Sequence, residues 1–396
     1  MLEKLLQKEI KASPLGAGGA GGVYIHIPFC KQACHYCDFH FSTSLGKKET
    51  MILALQKELE LRKNEFESTS VETIYFGGGT PSVLNTAEIE AIIATVYANY
   101  LVVKNPEITL EANPDDLSKA KILELAKSPV NRLSIGIQSF FDEDLKLMNR
   151  AHNSKEADAS LRLAKQYFDN ISIDLIYGMP DMTTARWEEN IDKALAFNIS
   201  HISSYALTVE PKTALASFIK KGLIKPVDDE VAQEHFNMLL EKMEANGFVN
   251  YETSNFGKPK YFSKNNTAYW LGKKYIGIGP SAHSYDGIRR AWNINNNVKY
   301  IKAISNSELP MEEEILSKTD RYNEYIMTGL RTIWGVSLER IENEFGKNYH
   351  QYLLQQAENY IQEHLLFIEN NTLITSKKGK FLADGIAANL FMINLS

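Results

Sequence analysis

Cysteine is almost missing from this 396-residue chain: there are three, Cys30, Cys34 and Cys37, all within eight consecutive positions. Three thiols cannot close a disulfide framework, so the sequence speaks against a cross-linked secreted domain and for a reducing, cytoplasmic setting. Long apolar runs are absent as well. None approaches the roughly 18 residues that a membrane-spanning helix needs; the expectation is no transmembrane segment, with peripheral membrane association left open. Net positive charge is lacking too: 43 Lys and Arg against 49 Asp and Glu give −6. Such a balance is a poor match to the phosphate backbone of a nucleic acid. Residues 1–22 have neither the continuous apolar core of a secretory signal nor the arginines of a transit peptide. They read as a short amphipathic helix followed by a Gly/Ala linker at residues 16–22, an extension outside the fold. Beyond that linker there is no low-complexity tract, and no repeat of solenoid length.

What is present is an ordinary globular composition, 44% hydrophobic and 23% charged. The length suits one large domain with an appendage. Short runs rich in β-branched residues predict strands: "VYIHI" (23–27), "ETIYF" (72–76), "EITLEA" (107–112), "RLSIGI" (132–137), "NISIDLIY" (170–177) and "HISSYAL" (201–207). Amphipathic stretches such as "SKEADASLRLAKQYF" separate them. Successive strand–helix units imply a parallel sheet, and hence an α/β fold with a partial (β/α)6 TIM-like barrel. The barrel core is expected over residues 23–210 and a barrel-completing, substrate-side segment over 211–310, with a strand at 251–256. A mostly helical, winged-helix-like module is expected over 311–396, with helices near 319–331, 337–345 and 350–364. A hairpin turning at Asn370–Asn371 and a last helix close it. Its candidate recognition helix, "YHQYLLQQAENYIQEH", is nearly devoid of cations, which favours a docking or capping role over DNA binding.

Residues able to do chemistry collect just beyond the strands: the cysteine loop, "GGGTP" (77–81), Glu111 in "EANP", Gln138 in "GIQSF", Asp174 in "DLIYGMP" and Tyr205–Ala206. In a parallel barrel these ends share one face, so a single site is predicted there. Two metal centres are open to the thiols. A zinc site would recruit His26, His35 or His40 as fourth ligand, although zinc ligands usually arrive as two separated pairs. A four-iron cluster fits C-x3-C-x2-C on one loop better, with three irons ligated and the fourth left bare. The stretch "GIGPSAHS" (277–284) contains G-x-G-x-x-A, but Pro280 interrupts it and no ribose-binding carboxylate follows at the usual spacing, against a dinucleotide site.

The cysteine loop, with Tyr36 just before its last cysteine, resembles that of the radical S-adenosylmethionine (SAM) superfamily. "YIHIPFC", "GGGTP", "EANP", "IGIQSF", "LMNRAH" and "IDLIYGMP" together resemble the oxygen-independent coproporphyrinogen III oxidase family over residues 23 to about 210. Phe39 stands where that oxidase has a further cysteine, and "NNTAYW" (265–270) is similar to the H-N-x-x-Y-W motif of the HemW-type haem chaperones. The resemblance implies a [4Fe-4S] cluster on Cys30, Cys34 and Cys37. It implies SAM contacts from Tyr24, Tyr36, Gly78, Gly79, Thr80, Glu111, Gln138, Arg150, Asp174 and Ala206, the glycines letting backbone approach the ligand. Haem would be the bound cargo, with Asn265, Asn266, Tyr269, Trp270 and His283 as candidate contacts, and the loop at 277–284 would close beside SAM. Haem-receiving proteins and an electron donor are the implied partners. Two functions follow, a haem chaperone or an oxidase that decarboxylates coproporphyrinogen propionates, and positions 39 and 265–270 favour the first. Asn265 replaces the chaperones' usual histidine, and an amide is not a customary axial ligand. That leaves Tyr269, His283 or distant histidines to ligate haem, while Tyr269–Trp270 also reads as an aromatic pair packed in a core seam.

Overall fold

The computed structural model describes residues 20–66 and 69–393; the expected N-terminal helix lies outside them. Alternation of side chains organises the barrel. Along β1 (Ala20–Ile27), Val23, Ile25 and Ile27 are buried on one face, while Tyr24 and His26 occupy the other. The same rule runs through β2 (Ser70–Gly78), β3 (Val102–Ala112), β4 (Arg132–Gln138), β5 (Ile171–Tyr177) and β6 (His201–Ala206). The apolar set, including Ile74, Leu110, Ile135, Ile173 and Ile202, joins one core with the covering helices. Those helices are α1 (Lys48–Leu61), α2 (Thr86–Asn99), α3 (Lys119–Leu125), α4 (Asp142–Leu147), α5 (Ser154–Ala164) and α6 (Thr184–Ala196). Burying each Val, Ile or Leu is worth roughly 1.5–3 kcal/mol. The outer face therefore holds the sheet, and the inner face is free to carry Tyr75, Glu111, Arg132, Ser134, Asp174 and Ser203. Side chains cap two of the helix starts: Asn85 with Glu88, and Asn153 with Glu156, form reciprocal capping boxes.

The chain then forms α7 (Ala214–Lys220), α8 (Asp229–Ala245), β7 (Val249–Glu252), β8 (Asn255–Gly257) and α9 (Lys264–Trp270). It continues through β9 (Tyr275–Ile278), β10 (His283–Tyr285), β11 (Arg289–Asn293), α10 (Asn297–Ser305) and β12 (Met311–Ile315). All twelve strands belong to one open sheet, in the order β12-β11-β10-β9-β1-β2-β3-β4-β5-β6-β8-β7. Strands β1 to β6 are parallel neighbours, and β9 adds parallel to the free side of β1. Antiparallel strands flank both sides.

Three expectations need correction. The linker ends earlier than residue 22, because Ala20, Gly21 and Gly22 already pair with β2. Their small size serves packing: a Cβ on Gly21 would lie 2.5 Å from the Lys274 carbonyl, and one on Gly22 2.6 Å from the Thr73 hydroxyl. The strand expected at 251–256 is a hairpin, since Thr253 and Ser254 turn the chain between β7 and β8. The last module does not begin at 311, because β12 is the edge strand of the barrel sheet, paired with β11.

Beyond β12 the module comprises α11 (Lys318–Leu330), β13 (Val336–Ser337), α12 (Leu338–Arg340) continuing as a π turn to Phe345, and α13 (Lys347–Gln362). The hairpin β14 (Leu366–Glu369) and β15 (Thr372–Thr375) and the helix α14 (Ala383–Asn389) complete it. Asn370 and Asn371 take φ of 49° and 60°, the left-handed pair that a two-residue hairpin turn requires. Tyr322, Ile326, Leu330, Phe345, Leu353 and Leu373 form a separate small core. Among the described residues, no helix is long and apolar enough to cross a membrane.

Candidate functional site

The cysteine loop leaves β1 and is clamped on both sides. On one side Gly79 N–H donates to the Ile27 carbonyl at 2.9 Å and Thr80 N–H to the Phe29 carbonyl at 2.7 Å. This close seating explains two of the glycines after β2. Gly78 has φ of 106°, and a Cβ there would fall 2.5 Å from the His26 ring; on Gly79 it would fall 2.6 Å from the Phe29 oxygen. Gly77 instead borders the lumen, where a Cβ would lie 2.9 Å from Tyr24, 3.0 Å from Tyr75 and 3.2 Å from Glu111. On the other side, His35 N–H donates to Met148 O at 3.0 Å. The Asn149 amide, on a left-handed residue, donates to Ala33 O at 2.7 Å.

The sulfurs sit within a polar chain. The Thr80 hydroxyl donates to Cys30 Sγ at 3.4 Å, and Arg150 Nη1 to Cys34 Sγ at 3.3 Å. Arg150 Nη2 donates to Asn113 Oδ1 at 2.7 Å and to the Gly136 carbonyl at 3.1 Å, while Asn113 Nδ2 reaches Thr80 at 3.4 Å. Loops after β1, β2, β3 and β4 are thereby tied together, and Tyr36 OH lies 3.5 Å from the same guanidinium. Burial pushes the Cys30 thiol up, and that of Cys37 to about 11. Both thiols are thus protonated at neutral pH without metal, and ligation would release those protons.

The histidines weighed as zinc ligands are engaged elsewhere. His26 bonds the His40 carbonyl at 2.9 Å and the Tyr24 hydroxyl at 3.3 Å, His35 the Leu147 carbonyl at 2.9 Å, and His40 the Asn297 amide oxygen at 2.7 Å. Among the described residues no three His, Cys, Asp or Glu side chains converge on a point where one ion would sit. A mononuclear zinc site needs such convergence. Three thiols on one loop, with the candidate histidines engaged elsewhere, would suit a cluster ligated at three of its corners.

Below the sulfurs the lumen holds two half-buried carboxylates. Glu111 accepts from Tyr75 OH at 2.7 Å, yet burial raises it from 4.5 to about 7. Asp174 rises from 3.8 to about 6 for the same reason, partly offset by hydrogen bonds from Ser203 and Ser134. Arg132, 2% exposed, moderates both from beneath. Gln138 is buried at φ of 64°, a left-handed conformation that costs a non-glycine residue roughly 1–3 kcal/mol. Ala206 ends β6 half-buried against the core. The rim residues expected from the sequence therefore lie at or just inside the strand ends. Three participants escaped that reading. Asn113, two residues after Glu111 in "EANP", and Tyr75, in register with Thr73 on the lumen face, were recoverable from alternation. Arg132, at the start of β4, had no sequence signal beyond its place before an apolar run.

Of the expected haem contacts, Tyr269 approaches the lumen cluster, hydrogen-bonding Asn265 and acting electrostatically on Glu111 and Tyr24, while the others are engaged elsewhere. Asn265, 3% exposed, accepts the Thr73 hydroxyl at 3.0 Å and donates its backbone N–H to Glu107 at 3.1 Å. Asn266 N–H is taken by the α9 cap, Ser263, at 3.2 Å. Tyr269 meets Tyr275 edge-on at 4.5 Å, and Trp270 lies under the Arg331 guanidinium at 5.0 Å. His283 is exposed, 6.2 Å from the Trp292 ring.

Comparison with known proteins places these features in a lineage. Residues 24–194 match the radical SAM superfamily, and residues 316–382 the HemN C-terminal domain. The chain is 34% identical over 374 residues to the haem chaperone HemW of Lactococcus lactis, covering 92% of this chain and 97% of that one. Its identity to HemW of Bacillus subtilis is 32%, with the same two coverages. The solved structure of coproporphyrinogen III oxidase, HemN, from Escherichia coli has the same fold, with a TM-score of 0.83 over 98% of this chain and 93% of that one, at 21% identity.

Proposed function

The chain belongs to the radical SAM superfamily and, within it, to the HemW haem chaperones, and from that premise we propose that it binds a [4Fe-4S] cluster, SAM and haem, and hands haem to haem-dependent respiratory proteins. The observation that carries the cofactor part is the hydrogen-bonded chain Cys30–Thr80–Asn113–Arg150–Cys34. It ties two of the three thiols on one loop to the ends of neighbouring strands. When bound, a cluster with one bare iron supplies an electron to the sulfonium of SAM. Around it the protein's own groups bind and orient. Glu111 and Asp174, whose pKa values burial raises despite the nearby Arg132, would accept hydrogen bonds from the SAM amino group. Gln138 and Arg150 direct polar groups into the lumen, and Tyr24 and Tyr36 flank the ligand. The cluster and SAM support haem transfer. The setting is the cytoplasm, with an electron donor for the cluster and no nucleic-acid partner.

Chaperone is favoured over oxidase by Phe39, 67% exposed at the position where the oxidase has a cysteine. The deciding experiment supplies the reconstituted protein with hemin and, separately, with coproporphyrinogen III, SAM and a reductant. One equivalent of hemin bound and passed to an apo-haem protein, with no loss of propionates from coproporphyrinogen, is the expected result. Decarboxylation without hemin uptake would overturn the reading.

A further inference from the structure

A line of buried polar groups leaves the candidate site and crosses the barrel to the edge of its sheet. Ser203, the register partner of Asp174 on the next strand, hydrogen-bonds that carboxylate, and its Oγ lies 3.3 Å from Ser172 Oγ. Ser172 Oγ is 2.7 Å from His201 Nδ1, and His201 Nε2 is 2.7 Å from the Tyr251 hydroxyl. Ser172, His201 and Tyr251 are fully buried. Tyr251 belongs to β7, the last strand on its side of the sheet. Its hydroxyl also accepts the backbone N–H of Ser263, the cap of α9, at 3.2 Å.

The far end of this line is where the last module docks. Ile333 N–H donates to the Tyr251 carbonyl at 3.1 Å, Thr332 forms a bridge with Glu252, and the Thr253 hydroxyl donates to Arg331 O at 3.3 Å. The Trp334 ring lies 6.2 Å from that of Tyr251. A second branch reaches the same strip: the Ser203 hydroxyl donates to Asn255 Oδ1 at 2.7 Å, and Asn255 Nδ2 donates to Glu252.

Stability alone would ask only that each group be paired, but these groups can pair in two ways. Burial holds His201 neutral, so one ring nitrogen donates and the other accepts; reversing the bond on one side reverses the bond on the other. Ser203 has one hydroxyl hydrogen and two acceptors, Asp174 and Asn255 Oδ1. An ionised carboxylate is the stronger acceptor of the two. A cation held at Asp174 favours that ionised form. It thereby draws the Ser203 hydrogen away from Asn255 and sets Tyr251, His201 and Ser172 donating toward the lumen.

We propose that SAM occupancy at Asp174 and the seating of residues 331–334 on β7 are coupled through Ser203, Ser172, His201 and Tyr251, with His201 and Tyr251 as positioning residues. The inference rests on the SAM-binding reading above and adds how that site is linked to the last module. Two arrangements that both ends can bias are what such coupling requires.

The test is hydrogen exchange at residues 331–334 in the reconstituted full chain, with and without saturating SAM, for the wild type, Tyr251→Phe and Ser203→Ala. Calorimetry on the same samples records SAM binding. In the wild type SAM should change the exchange rate of this segment about 5-fold or more. In both variants the rates with and without SAM should coincide. A merely structural role would speed exchange in the variants by one factor in both states and leave the SAM effect in place, which would overturn the inference. Wild-type exchange indifferent to SAM that calorimetry shows to be bound would overturn this inference alone. If the wild type binds no SAM, the reading beneath it fails as well. Either variant decides alone should the other fail to fold or to bind SAM.

Discussion

At the barrel rim, loops from four consecutive strands are knitted by short polar contacts, and one residue, Gln138, is held in a strained conformation. Around a second cavity, between α9 and α11, rings and guanidiniums meet across elements far apart in the chain, from Tyr269 to Phe345, and one cation stays unsatisfied. Both regions hold charged groups at close quarters, in different settings. At the rim burial raises the pKa of two carboxylates despite Arg132; in the cleft Arg321 has no ion pair among the described residues. A rigid rim suits a cofactor that must be positioned for electron transfer.

That contrast can be broken in several places. The largest effect is expected from Cys30→Ala, Cys34→Ala or Cys37→Ala: iron after anaerobic reconstitution should fall from about four per chain to none. Iron analysis checks this, and retention of iron in any one of the three would remove that cysteine from the site. Next comes Arg150→Lys. Lysine cannot reproduce the fork that spans Asn113, Gly136 and Cys34, so SAM affinity should drop on the order of 10-fold by calorimetry. Equal affinity would assign Arg150 to loop packing alone.

Gly78→Ala separates seating of the cysteine loop from ligand contact. The His26 ring and the positive φ both oppose a side chain, so a loss of roughly 1–3 kcal/mol in denaturant unfolding is expected. An unchanged midpoint would mean that the loop shifts freely. The smallest effect concerns pH. Burial raises Glu111 from 4.5 to about 7 in the fold, so its contribution to stability is complete below about pH 4.5 and declines as pH rises through 7. Glu111→Gln should flatten that decline between pH 4.5 and 7 in unfolding measurements without SAM. The same slope in the variant would mean that Glu111 is not the titrating group.

The contrast between regions is also a contrast in what could be read from residues alone. The rim is local: each contributing loop follows an alternating strand such as "RLSIGI" or "NISIDLIY", and a parallel barrel brings those ends together whatever the loop sequences are. The sheet extension was hidden because β9 to β11 are three to five residues long. They include Gly277 and the pair Arg289–Arg290, and so lack a usable period. The Gly/Ala stretch misled for a physical reason. Glycine there looks like slack chain, yet Lys274, Phe66 and Thr73 crowd β1 so closely that nothing larger fits. The second cavity was out of reach because Tyr269 and Arg321 meet only through the docking of the last module on the sheet, and no motif spans that distance.

The central claim is that three thiolates leave one iron of a four-iron cluster bare for SAM. The most direct measurement is the electron paramagnetic resonance spectrum of the reduced, reconstituted protein, taken before and after SAM is added. A four-iron signal whose shape changes with SAM is predicted. A spectrum indifferent to SAM, or a protein that takes up zinc and no cluster, would contradict the account.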